Sequence, residues 1–181
     1  DLSKIEAGKM DVFVEPVNVV SLLQNIETTA TPLMKRRGNR LVVDCPPGLP
    51  AFDSDIMKLR QCLYNLLSNA ARFTENGEVR LTVDHDRSTI RFRVSDTGIG
   101  MSDEELGRVF QPFEQAEAAT QAQYGGSGLG LAITKGFCEL LGGGISVQST
   151  PAAGTTFEIR LPYSYTPQSR AQNTKQQAEI Q

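Results

Sequence analysis

The sequence predicts an α+β sandwich: a sheet of largely antiparallel strands with helices on one face. Three observations predict it. EVRLTVDH and TIRFRVSD alternate apolar and polar residues on either side of the polar DRS, which makes them a hairpin. GISVQST and TTFEIRLP repeat that pattern around PAAG and form a second hairpin. Before and between the hairpins lie segments with the 3.6-residue apolar spacing of helices. At 181 residues the chain holds one well-buried domain with appendages.

Taken in order, residues 1–9 are polar with helical potential, broken by Gly8. DVFVEPVNV alternates, and Pro16 marks a junction. Val19, Leu22, Leu23 and Ile26 give an amphipathic helix from about Asn18 to Arg37, disturbed by Pro32. NRLVVDCP reads as a strand followed by the turn cluster PPGLP. Ser54 or Asp55 caps a long helix running to about Phe73. SDEE, from Ser102 to Glu105, fits a capping box and predicts a short helix. QPFEQAEAATQAQYGG has no sustained core pattern and reads as a mobile loop. A helix over 129–141 ends at Gly142, and the polar tail beyond Pro162 is a linker or disordered end.

The bulk numbers exclude several classes. Hydrophobic content of 39% and charged content of 22% are those of a soluble globule. A net charge of −3 argues against nucleic-acid binding, which needs a basic face. No apolar run approaches a membrane span. Cys45, Cys62 and Cys138 lack CxxC spacing, which implies buried thiols in a reducing compartment and neither disulfides nor a zinc site. That composition points to the cytoplasm. The start at DLSKIEAGK, without Met, reads as a fragment whose parent protein can still be membrane-anchored.

Four stretches carry chemistry. In QCLYNLLSNAARFT, Gln61, Asn65, Asn69 and Arg72 share a narrow arc of the helix, while Ile56, Leu59, Leu63, Leu66 and Ala70 point the other way. A solvated face is the plain alternative, but such faces usually carry Lys and Glu rather than Asn. Amide oxygens one turn apart suit Mg²⁺ shared with phosphates, and Arg72 suits the phosphates themselves. VSDTGIGM puts Asp96 at a strand end with Gly98 and Gly100 behind it, so the carboxylate is placed to accept from the exocyclic amine of adenine, with the glycines letting the backbone pass close to a flat ring. A plain DTG turn remains the other reading. GGSGLGL opens a helix as a phosphate loop does, yet it lacks the P-loop lysine and has GxGxG rather than GxGxxG spacing. Thr155 shares a strand face with Phe157 and Ile159 and points inward, as an ordinary strand threonine also would.

The order of these stretches resembles the catalytic and ATP-binding domain of sensor histidine kinases, within the Bergerat-fold ATPases. An Asn helix, DTGIGM, the paired phenylalanines of VFQPFEQ, GGSGLGLAI and GTTFEIRLP follow one another at family spacing from about Pro16 to Pro162. The resemblance implies a two-layer α/β sandwich with a mixed, mostly antiparallel sheet and a mobile ATP lid. It implies ATP and Mg²⁺ as ligands. Asn65, Asn69, Arg72 and Phe73 match the N box, with Asn69 on Mg²⁺ and Arg72 on phosphate. Asp96, Gly98, Ile99 and Gly100 match the G1 box, and Phe110 and Phe113 match the F box, where hydrophobic packing of the lid is their expected work. Gly126, Ser127, Gly128, Leu129, Gly130 and Leu131 match the G2 box, whose amides meet the phosphates and whose glycines hinge the lid. Thr155 matches the final strand position near adenine.

The same resemblance divides the chain into the end of a dimerisation helix and linker at 1–15, the catalytic domain at 16–162, and a tail at 163–181. It implies a histidine-bearing dimerisation domain and a response-regulator receiver domain as partners, in a homodimeric parent. Hydrolytic relatives carry a glutamate general base four residues before the first N-box asparagine. Gln61 stands there and cannot take a proton, which favours a kinase over an ATPase or serine kinase. A nucleotide-binding module without catalysis is opposed by the intact Asn65, Asn69 and Asp96. His85, the one histidine, ends a strand at a hairpin and reads as a surface residue rather than the phosphate acceptor.

Overall fold

The computed structural model describes residues 2–113 and 128–165. In chain order the elements are α1 (Leu2–Glu6), β1 (Glu15–Val17), α2 (Val19–Lys35), β2 (Arg40–Asp44), β3 (Phe52–Ser54) and α3 (Ile56–Phe73). There follow β4 (Glu78–His85), β5 (Thr89–Asp96), α4 (Asp103–Leu106), α5 (Gly130–Leu140), β6 (Gly144–Thr150) and β7 (Gly154–Pro162). One sheet has the order β2-β4-β5-β7-β6, parallel at β2–β4 and antiparallel elsewhere, and β1 pairs with β3 in a small separate ribbon. The expected α+β sandwich is therefore present, with β2 entering through a crossover that contains α3.

Alternation explains the two layers. Val79, Leu81 and Val83 of β4, Ile90, Phe92 and Val94 of β5, and Phe157, Ile159 and Leu161 of β7 are buried on one face. Val19, Leu22, Leu23, Ile26, Ala30 and Met34 of α2, with Leu59, Leu63, Leu66, Leu67 and Ala70 of α3, complete that core. The other sheet face carries charges. Arg40 pairs with Glu78 at 3.2 Å, Arg93 pairs with Asp84 and Glu158, and Arg91 pairs with Asp84 and Asp86. Opposite charges across strands stabilise the ladder modestly and keep this face wet.

Two local expectations need correction. Pro32 lies inside α2 without breaking it. The proline is exposed near the last turn, and the Thr31 hydroxyl bonds the Glu27 carbonyl at 2.7 Å, so the helix loses one bond where water can replace it. Cys45 is only partly buried, while Cys62 and Cys138 are buried as expected. The latter two meet between α3 and α5, where the Cys138 thiol and burial together hold the Cys62 thiol well above its ordinary pKa, keeping it protonated and inert.

The entry into α3 is tied to the N-terminal segment. Asp55 is its N-cap: Oδ1 accepts from the Met57 and Lys58 amides, both at 3.1 Å. Oδ2 accepts from the Phe13 amide at 3.0 Å and from Lys58 Nζ at 2.9 Å. Lys58 Nζ also lies over the rings of Phe13 and Phe137, at 5.8 and 5.9 Å. Burial pushes the Asp55 carboxyl up, but the Phe13 amide and Lys58 outweigh it and hold the group below the ordinary carboxylate value. Because the folded-state pKa is the lower one, this contribution is present above the unfolded carboxylate range and is lost as pH falls. Asp55→Ala is expected to lower unfolding stability by about 3 kcal/mol at pH 7 and by clearly less near pH 3. Urea denaturation at the two pH values checks this, and an equal loss at both would mean that the charge contributes nothing.

Candidate functional site

One side of α3 holds the expected polar stripe. Gln61 is exposed, and Asn65, Asn69 and Arg72 are half-buried, while Leu59, Leu63, Leu66 and Ala70 face the core. Ile56, at the first turn, is only partly buried. Asn65 Nδ2 donates to the Gly130 carbonyl at 3.4 Å and to Thr134 Oγ1 at 3.3 Å. This amide thus ties α3 to the first turn of α5 and turns its carbonyl oxygen to the remaining space. Arg72 donates to Asn69 Oδ1 at 3.1 Å, and its guanidinium lies 5.8 Å from the Phe73 ring. Burial lowers the Arg72 pKa, yet a guanidinium so far above neutrality stays charged. The two residues read as metal and phosphate contacts are therefore already hydrogen-bonded to each other.

Asp96 ends β5 opposite Thr155 of β7. Its Oδ1 accepts from the Gly98 amide at 2.9 Å. Burial pushes this carboxyl above its ordinary value, and the Gly98 and Thr155 amides with the Thr74 hydroxyl pull it part of the way back. Thr155 is buried on the inner face with Phe157 and Ile159, as its alternation predicts. Its hydroxyl lies 2.8 Å from Ser149 Oγ, which also accepts from the Met101 amide at 2.8 Å and donates to the Gly154 carbonyl at 2.9 Å.

The G1 glycines have a reason beyond approach to a flat ring. A Cβ on Gly98 would stand 2.2 Å from the Phe73 carbonyl oxygen, and one on Gly100, at φ +67°, would stand 2.0 Å from that of Thr150. The chain itself passes too close for any side chain, because this loop is pinned between the end of α3 and the β6–β7 turn. Ile99 donates its amide to Phe73 O at 3.1 Å and leaves its side chain 44% exposed at the mouth of the site.

The F-box pair divides. Phe110 packs edge-on against Phe157 with centroids 6.1 Å apart, as expected for lid packing. Phe113 does not: it is 73% exposed, with φ 61°. Its work is in the backbone, where its amide donates to the Gly128 carbonyl at 3.0 Å and joins the two described ends of the lid. Leu129 precedes α5, Gly130 begins it and Leu131 packs partly against the core. A Cβ on Gly130 would meet only ordinary contacts at 3.9 Å, so packing does not demand glycine there. Gly126 and Ser127, and the expected mobile lid between 114 and 127, lie outside the described residues.

Two supporting residues carried no signal in the sequence. Asn39 is 7% exposed, donates to the carbonyls of Ala71 and Thr74 at 3.3 and 2.8 Å, and accepts from the Gly77 amide at 3.1 Å. Ser149 organises the Met101, Gly154 and Thr155 junction described above. The sequence pattern places Asn39 at the start of the strand NRLVVDCP, and only the fold reveals that it precedes β2 and closes a distant helix end. His85 sits at the other end of β4 from this site, its ring 5.7 Å from Tyr163, in keeping with a surface role. Among the described residues no cluster of His, Cys, Asp or Glu forms a metal site. The neutral Asn69 oxygen suits a divalent cation that shares its coordination with phosphates.

Comparison with known proteins agrees with this geometry. Residues 54–165 match the family described as histidine kinase-, DNA gyrase B-, and HSP90-like ATPase. The chain is 38% identical over 169 residues to the autoinducer 2 sensor kinase/phosphatase LuxQ of Vibrio parahaemolyticus, covering 90% of this chain and 20% of that protein. It is 41% identical over 165 residues to the circadian input-output histidine kinase CikA of Synechococcus elongatus, covering 90% of this chain and 22% of that protein. The chain thus spans about a fifth of the length of these relatives. Among solved structures, full-length ShkA in complex with AMPPNP superposes with a TM-score of 0.81 at 29% identity, covering 92% of this chain and 35% of that one. The catalytic domain of histidine kinase ThkA shares the fold with a TM-score of 0.73 at 21% identity, covering 84% of this chain and 99% of that one. With its asparagine helix, its strand-end aspartate and the match over residues 54–165, the chain belongs to the histidine kinase-, DNA gyrase B- and HSP90-like ATPase family, as a catalytic domain of the sensor histidine kinase kind.

Proposed function

We propose that this domain binds ATP with Mg²⁺ and transfers the γ-phosphoryl group to a histidine on a dimerisation domain of the same protein, for relay to a receiver-domain aspartate. The observation that carries the reading is the convergence of Asn65, Asn69 and Arg72 on one helix face with Asp96 near its end, while Gln61 occupies the place of a hydrolytic base. Asp96 accepts from the adenine amine, Ile99 covers the base, and Thr155 lines the base end. Arg72 and the backbone amides at the start of α5, with those of Gly126 and Gly128, face the phosphates. Asn69 Oδ1 is the protein oxygen for Mg²⁺, and Asn65 supplies a second amide oxygen. When bound with the nucleotide, the cation would supply positive charge beside the phosphates. Arg72 then turns from Asn69 to phosphate, since a guanidinium and a divalent cation repel at one oxygen.

The reaction is an in-line displacement. A ring nitrogen of the acceptor imidazole attacks the γ-phosphorus, the P–N bond forms as the bond to the bridging oxygen breaks, and ADP leaves with the electron pair. The ring proton is released to solvent. A neutral imidazole needs no general base on this domain, which makes Gln61 sufficient where a water nucleophile would not be served. Residues 1–15 form the end of the dimerisation helix and the linker, with α1 packed on α5 where Gly136 makes room for Ile5. A receiver partner is supported by similarity to the hybrid signal transduction histidine kinase B of Dictyostelium discoideum, 34% identical over 168 residues. Reaction with ATP places the domain on the cytoplasmic side of any membrane anchor of its parent, and no described helix is long and apolar enough to cross a membrane.

Mixing the domain with a histidine-bearing dimerisation domain and labelled ATP·Mg²⁺ is expected to give acid-labile, base-stable phosphate on histidine. Phosphate on serine, or release of inorganic phosphate alone, would overturn the kinase reading. Asp96→Asn should weaken ADP binding by at least about tenfold and leave the melting temperature unchanged or higher, because burial already disfavours the charge it removes. For the wild type, affinity should fall as pH drops through the Asp96 pKa, which burial raises; calorimetry across pH reads both effects. Asn69→Ala should reduce Mg²⁺-dependent phosphotransfer by at least about one to two orders of magnitude, since losing a ligand costs no less than losing a group that only orients one, while adenosine binding stays near normal. Equal losses in the two assays would make Asn69 structural.

A further inference from the structure

Thr74 follows α3 and is 2% exposed, and the one group its hydroxyl meets within the described chain is the Asp96 carboxylate, which it helps to hold down against burial. A buried hydroxyl is costly unless a partner holds it, so valine would serve better at this position if packing were its whole role. Its direction is fixed by its neighbours. A Cβ on Gly98 would stand 2.7 Å from Thr74 Oγ1 and 2.9 Å from Asp96 Oδ1, so the hydroxyl and the carboxylate flank one point beside the Gly98 backbone. A Cβ on Gly77 would stand 2.7 Å from Thr74 Cγ2, which places the methyl on the opposite side. The backbone cannot follow a rotation, because Asn39 grips the Thr74 carbonyl and the Gly77 amide.

The other buried hydroxyl nearby is already engaged. Ser149 Oγ–H donates to the Gly154 carbonyl, so in the 2.8 Å contact between Ser149 and Thr155 the proton must come from Thr155. Thr155 can then accept from a ligand but has no proton left for Asp96. Thr74 is the hydroxyl beside the carboxylate with a proton to give.

We propose that Thr74 is a positioning residue for base recognition: its hydroxyl donates to the Asp96 carboxylate and holds it oriented and ionised toward the exocyclic amine of adenine. This rests on the reading of Asp96 as the amine acceptor. The hydroxyl offsets part of the desolvation that raises the carboxyl's pKa, beside the Gly98 and Thr155 amides. Its effect therefore requires a ligand that carries the amine.

Calorimetry of ADP and of purine riboside 5′-diphosphate, which lacks that amine, on the whole domain tests it. Thr74→Val is expected to weaken ADP about tenfold, as for a hydrogen bond to a charged group, and to change the amine-free diphosphate by less than about twofold on the same scale. Thr74→Ser should restore ADP binding, and Thr74→Ala should repeat the valine pattern, so the result does not hang on one folded variant. Equal weakening of both ligands, or no weakening of ADP, would overturn the role of Thr74 alone. Equal binding of the two diphosphates to the wild type would instead remove the Asp96 reading and this inference with it.

Discussion

The side-chain amide of Asn39 holds the site together from outside it. A helix ends with four carbonyls lacking helical partners, and at α3 the last turn must also stop where β4 begins. Asn39 answers both needs by donating to Ala71 and Thr74 and accepting from Gly77, while the Arg40 amide bonds the Gly77 carbonyl at 2.9 Å. With that end immobile, Arg72 and Thr74 have fixed stems, and the Phe73 carbonyl offers a fixed acceptor to Ile99. The G1 loop is thereby docked on the N-box helix by backbone contact, and Gly98 is small because the approach leaves no room.

Charge is handled by division of labour. The glycine-rich stretch before α5 has no lysine, and the described start of α5 faces Asn65 on the helix that also carries Arg72. Asp96 is held in a partly desolvated setting, which strengthens any hydrogen bond it makes and raises the penalty of leaving it unpaired. On the proposed reading, the acceptor for the base is Asp96 and the donor for the phosphates is Arg72, so the polarity of the nucleotide would fix its direction.

The layers, the hairpins and both long helices were legible because alternation and 3.6-residue spacing reflect burial directly. Asn65, Asn69 and Arg72 stood out because polar amides lay where a wet helix face usually carries Lys and Glu, while Asp96 and Thr155 were singled out through the family resemblance, a DTG turn and a strand threonine being ordinary by themselves. What escaped depends on long-range geometry. β3 is three residues long and shows no period of its own. Asn39 gains its meaning from carbonyls more than thirty residues away, and Phe113 serves through an amide that any residue possesses. The glycines of DTGIG were visible, but the atoms that exclude a side chain there belong to Phe73 and Thr150, which no local pattern connects to them.

The facing of Asp96 and Thr155 across β5 and β7 has a kinetic consequence. These strands are joined only after the segment containing α4 and α5 has been spanned, so their pairing closes a long loop and carries its entropy. A chain that stops short of β7 lacks half of the pocket floor, however well its hairpin and helices have formed. Nucleotide then binds only the completed sheet, and its binding free energy stabilises that state alone. On the proposed reading, ATP would stabilise only chains whose β5–β7 pairing is complete.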